Sequence, residues 1–98
     1  MANRNKNFNE TLSSEMEDFE FAQGFLLNLI HEHGLNIQDA LISAIEASGL
    51  SKFAERNDFS IQAVSDFVHR RRDYKIAVVD KYLRAFGLKV KLGVEKVA

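Results

Sequence analysis

Residues 51–87, SKFAERNDFSIQAVSDFVHRRRDYKIAVVDKYLRAFG, read as two short helices around a tight turn, then a basic loop, then a further helix. Ser51 is placed to cap the first helix, which turns Phe53 and Ala54 inward. The turn is Asn57-Asp58-Phe59. Ser60 caps the second helix, whose inner side is Val64, Phe67 and Val68. Two helices that cross closely need a small residue at the crossing, and Ala54 occupies that place. The exposed start of the second helix carries Ser60, Ile61, Gln62, Ala63, Ser65 and Asp66. These side chains are mostly short or hydrogen-bonding, as reading of base edges in a major groove requires. Ser60, Ile61, Gln62, Ser65 and Asp66 are therefore candidate base readers. Gln62 suits a bidentate contact to adenine, and Ile61 suits either a thymine methyl or simple shielding of the groove.

The loop that follows, His69-Arg70-Arg71-Arg72-Asp73-Tyr74-Lys75, places three arginines at a helix end. They can satisfy the last carbonyls and the negative end of the helix dipole. Directly after a candidate recognition helix they also suit a phosphate clamp, because guanidinium forks match phosphate oxygens. Ser51, Arg70, Arg71, Arg72 and Lys75 are the candidate phosphate contacts. The last helix is expected over residues 76–86, with Ile76, Val79, Leu83 and Phe86 facing the core and Asp80, Lys81 and Arg84 facing water. Gly87 ends it. Leu88-Lys89-Val90-Lys91-Leu92 alternates strictly and predicts a half-buried strand, which needs a second strand to pair with.

Upstream, Ile37, Ala40, Leu41, Ala44 and Ile45 form the core stripe of a helix over residues 37–48, with Asn36 as its cap. A longer helix is expected over residues 14–33, with Ser14 as its cap and Gly34 just past its end. Its apolar groups cover roughly 240° of a helical wheel, wider than one neighbouring layer buries. Either the helix lies between two layers of its own domain or part of it faces another chain, and in a chain this short the second is expected. Phe21, Phe25 and Leu27, with Val90 and Leu92 of the strand, are the candidate partner or dimer surface. Residues 1–13 read as a flexible arm, and residues 14–98 as one domain.

The net charge of −1 hides an asymmetry: residues 1–50 hold two basic and eight acidic side chains, residues 51–98 eleven and six. A basic half points to a polyanionic partner on one side. At 46% hydrophobic, the 98 residues can form a globular core. The chain has no cysteine, so it has neither disulfides nor thiolate metal sites. The polar start, MANRNKNFNETLSS, and the lack of a long apolar run predict a cytoplasmic protein with no membrane partner. His31-Glu32-His33 does not suggest a metal site, because helical neighbours two apart point about 200° from each other. No phosphate-cradling glycine loop or nucleophile–base set is present, so no catalytic residue, cofactor or enzymatic activity is expected.

The run from Phe53 to Phe67, continued by residues 75–88, resembles the Xre/Cro-type helix-turn-helix proteins. Upstream, Phe19-Glu20-Phe21-Ala22 and residues 39–49 (DALISAIEASG) are similar to the supporting helices of HigA-like addiction-module antitoxins, as is the closing Leu83-Arg84-Ala85-Phe86-Gly87-Leu88-Lys89-Val90. The resemblance implies an all-α, five-helix, lambda-repressor-like domain with a short C-terminal strand. It implies a homodimer that binds operator DNA as a repressor, and an antitoxin that neutralises a small basic ribonuclease toxin and autoregulates its operon. Other readings are a phage or mobile-element repressor without a toxin, and an interaction domain without DNA binding. Five residues depart from the family pattern. Asp58 stands for the turn glycine, Asn57 for an apolar residue, Arg70 for a glycine and Asp73-Tyr74 for Asn-Pro.

Overall fold

The computed structural model describes residues 11–69, 72–91, 94, 96 and 97. Within them the chain is all-α. A helical turn over residues 11–15 precedes α1 (Phe19–His31), α2 (Ile37–Ser48), α3 (Leu50–Arg56), α4 (Ile61–His69) and α5 (Ile76–Arg84). No helix among these residues is long and apolar enough to cross a membrane.

α2 is the hub, packing against each of the other four helices. Its bounds and cap are those expected: the Asn36 side chain accepts from the Asp39 amide at 2.8 Å. Ala40, Leu41, Ala44 and Ile45 are fully buried. Burial of a leucine or isoleucine of this kind contributes roughly 1.5–3 kcal/mol. An aromatic cluster ties the remaining helices together. Phe53 of α3 lies 5.8 Å from Phe59 in the turn and 5.4 Å from Phe86 beyond α5. Phe67 of α4 lies 4.5 Å from Tyr82 of α5. Tyr82 itself is buried.

The helix expected over residues 14–33 is two pieces. The chain leaves the helical path at residues 16–18, where Met16 is buried and the Asp18 side chain caps α1 by accepting from the Phe21 amide at 3.1 Å. Asp18, not Ser14, is thus the cap, because the break at residues 16–18 makes α1 open at Phe19, directly after the Asp18 carboxylate. Residues 11–13 were expected in the arm. Here Leu12 packs on the core and Ser13 Oγ donates to the Ser48 carbonyl at 3.2 Å. The rest of the arm, residues 1–10, lies outside the described residues.

Three further expectations change. Ser51 does not cap α3: the cap position is Gly49, at φ 90°, with no side-chain cap hydrogen bond. Gly49 both ends α2 and opens α3, so α3 starts one residue before Ser51. Ile37 and Ile76 are not core residues but are 39% and 56% exposed. Each is the first residue of its helix, where the side chain tilts back toward the N-terminus and off the end of the core. Residues 88–91 form no strand. The Val90 amide instead donates to Asp80 Oδ1 on α5 at 2.9 Å. The alternation still reports half-burial, since Leu88 and Val90 pack on the core while Lys89 and Lys91 are exposed. Leu92 lies outside the described residues. Gly87, at φ 74°, allows this return. A Cβ there would strike the Phe19 ring and come within 2.7 Å of Gln23 Nε2, which donates to the Phe86 carbonyl.

Candidate nucleic-acid interface

α3 and α4 are joined by residues 57–60, and the turn is made by backbone geometry. Asp58 takes φ 58°, and the Phe59 amide donates back to the Ala54 carbonyl at 2.8 Å. A left-handed residue followed by this long return bond is a common way to end a helix sharply. Ser60 Oγ then accepts from the Ala63 amide at 3.3 Å and opens α4. Phe53 and Ala54 are buried on the α3 side, and Val64, Phe67 and Val68 on the α4 side.

That burial fixes which way the rest of α4 points. Ser60, Ile61 and Gln62 are exposed, Ile61 at 50%, while Ser65 and Asp66 are half-buried. At 100° per residue, Gln62, Ser65, Asp66 and His69 share the side opposite the core. They are connected along the helix. Gln62 Nε2 donates to Asp66 Oδ1 at 3.1 Å, and Ser65 Oγ is 3.2 Å from His69 Nδ1. Four of the five candidate base readers therefore lie on one helix, with Ser60 at its cap. His69 belongs to the same face and had no role assigned in sequence. Its spacing four residues after Ser65 was the available signal.

The candidate phosphate contacts are divided. Ser51 is exposed in the first turn of α3. Arg70 and Arg71 lie outside the described residues. Arg72 and Lys75 are exposed, Lys75 at the cap position of α5 without a side-chain cap bond. The Arg72 guanidinium lies 4.8 Å from the centroid of the Tyr74 ring. The ring sits 4.7 Å from Phe67, and its hydroxyl donates to the Asp66 carbonyl at 3.0 Å. Tyr74 thus belongs to the support of this loop, as does Gln38 of α2, which bonds the Arg72 carbonyl and the Tyr74 amide, 34 and 36 residues away. Their contacts cross long stretches of sequence, and no local pattern marks them. Elsewhere, Arg56 at the end of α3 pairs with Glu17 at 3.5 Å, and Lys52 donates to Ser13 Oγ at 3.3 Å.

The candidate partner surface is spread along the edges of the α1 stripe. Ala22 and Leu26 are buried at its centre, Phe25 is half-buried, and Phe21 and Leu27 are each 38% exposed. The Phe21 and Phe25 rings stack at 6.5 Å. Val90 is half-buried beside α5. No family model matches this chain, and neither the curated proteins nor the solved structures provide a match.

Proposed function

We propose that the chain is a sequence-specific DNA-binding regulator whose α3–α4 unit is a helix-turn-helix and whose α4 reads the major groove. One observation carries the reading: α4 buries Val64, Phe67 and Val68 while turning Gln62, Ser65, Asp66 and His69 outward. A helix anchored by one face and offering short hydrogen-bonding groups on the other is what groove reading needs. The basic balance of residues 51–98 supplies the attraction to phosphate. The regulator is a repressor acting as a homodimer, on the model of the Xre/Cro-type proteins it resembles.

The test is site selection on random duplexes, followed by Gln62→Ala. Preference should relax at one base pair, with a cost of roughly 1–3 kcal/mol on the preferred site and little on others. A selected-site profile unchanged in Gln62→Ala removes Gln62 from the readers. Lack of any salt-dependent affinity for duplex DNA in the wild type sinks the reading as a whole.

A second reading, antitoxin, is favoured by the exposed Phe21 and Leu27 on α1 and by the acidic balance of residues 1–50. Both suit a small basic protein such as a ribonuclease toxin. It is compatible with DNA binding where the homodimer forms away from Phe21 and Leu27. Co-purification with the product of an adjacent small basic reading frame, abolished by Phe21→Ser with Leu27→Ser, is the expected result.

A further inference from the structure

Gln38, in the first turn of α2, holds the basic loop by its backbone. Its Nε2 donates to the Arg72 carbonyl at 2.7 Å, and its Oε1 accepts from the Tyr74 amide at 3.1 Å. A carbonyl needs a donor and an amide an acceptor, so one orientation of the glutamine amide satisfies both. The two contacts reach 34 and 36 residues along the chain. They tie the loop to α2, the hub of the fold. The loop is tied to α4 as well, because the Tyr74 hydroxyl donates to the Asp66 carbonyl and its ring packs on Phe67. Arg72 therefore has its backbone fixed by α2 and its guanidinium lodged over a ring that is seated on α4.

We infer that Gln38 is a positioning residue, which holds the Arg72 guanidinium over the Tyr74 ring, next to α4, so that it is pre-set to take a phosphate. Its consequence for DNA rests on the function proposed above, but the clamp itself does not. Arginine on a free loop loses backbone and rotamer freedom when it grips a phosphate, and a loop already held loses less. Gln38 carries no charge, so its own removal releases no counterion. Any change it causes in salt dependence must act through a cation.

The test uses the full chain and a mixed-sequence DNA duplex, with Gln38→Ala, Arg72→Ala, the double variant and Gln38→Glu. Gln38→Ala should weaken binding by about three- to tenfold, the scale of one or two net hydrogen bonds. It should also flatten the salt slope by about one unit, as Arg72→Ala does. In the Arg72→Ala background it should have no further effect. Equal losses in both backgrounds, or no loss in either, overturn the inference. Amide hydrogen exchange gives a second, independent readout. Exchange at Tyr74 should be slow in the wild type, fast in Gln38→Ala and slow again in Gln38→Glu, which keeps the acceptor. The Val68 amide within α4 should stay protected in all of them. Equal Tyr74 exchange in wild type and Gln38→Ala overturns the clamp. If the wild type binds no duplex at low salt, the DNA-binding reading fails, and Tyr74 exchange alone decides the role of Gln38.

Discussion

Asp58 is where a single residue sets the relation between α3 and α4. It is the one non-glycine residue at positive φ among those described. An L-residue in this region loses about 1–2 kcal/mol, and aspartate less, because its short carboxylate bonds locally. Asp58→Val should therefore lower stability by about 1–2 kcal/mol in urea unfolding, since a β-branched side chain fits this conformation worst. Asp58→Gly should leave stability level or slightly raised, the relief of steric cost being offset by roughly 0.5–1 kcal/mol of added unfolded-state entropy. A valine variant as stable as the wild type would show that the turn does not depend on a left-handed residue. Residues of this kind were legible because their meaning is local: Asp58 in a turn, Ser60 at a cap, Gln62 on an exposed helix start. Gln38 was not legible. In sequence it is a polar residue in the first turn of a helix, and its partners stand 34 and 36 positions away.

Among the elements, α5 and the segment after it show most clearly what periodicity can and cannot report. Over residues 88–91 the alternation marks burial, and this segment pairs with no strand among the described residues. A half-buried extended segment has the same pattern whether its amides meet a second strand or, as for Val90, a carboxylate on the preceding helix. The helix-opening isoleucines misled for a related reason. A wheel treats Ile37 and Ile76 as stripe members, but a helix end has no core beneath it. Asp80 is the group that holds the returning segment, accepting from Arg84 Nε at 2.6 Å and from the Val90 amide. The Arg84 hydrogen bond, then the Val90 amide, hold its carboxyl below the ordinary value of 3.8, against a smaller opposing effect of burial. A lowered folded-state value means that the stabilisation is present above pH 3.8 and is lost as the pH falls through the folded value. The stability gap between wild type and Asp80→Asn should therefore be constant at neutral pH and close under acid. Exchange at the Val90 amide should quicken in Asp80→Ala while amides within α5 stay protected. A gap that persists undiminished at pH 2 would place the contribution of Asp80 elsewhere than in its charge.

At the scale of the whole molecule, the core is closed around α2, so the apolar groups left outside are a surface property and not a packing defect. The core side was readable: Leu26, Leu41, Ile45, Val64, Phe67 and Leu83 all fall on periodic stripes and are all buried. The excess width of the α1 stripe was readable too, and it resolves into a buried centre with Phe21 and Leu27 exposed at its edges. What covers them was not readable, because a stripe reports how much surface needs burial and not by whom. The proposed homodimer makes this testable without DNA. A dimer that binds only folded chains raises its own unfolding temperature with concentration. The wild-type Tm should therefore climb across a dilution series. Phe21→Ser with Leu27→Ser should remove that climb, and the low-concentration Tm should itself fall, because both side chains are only 38% exposed and Phe21 stacks on Phe25 within the chain. Sedimentation of the same samples should show the variant as monomer at concentrations where the wild type is paired. A variant that still dimerises would move the interface away from α1. Away from α1, the exposed large apolar groups among the described residues are Ile37, Ile61, Ile76, Val94 and Val97, and these would be the next positions to change.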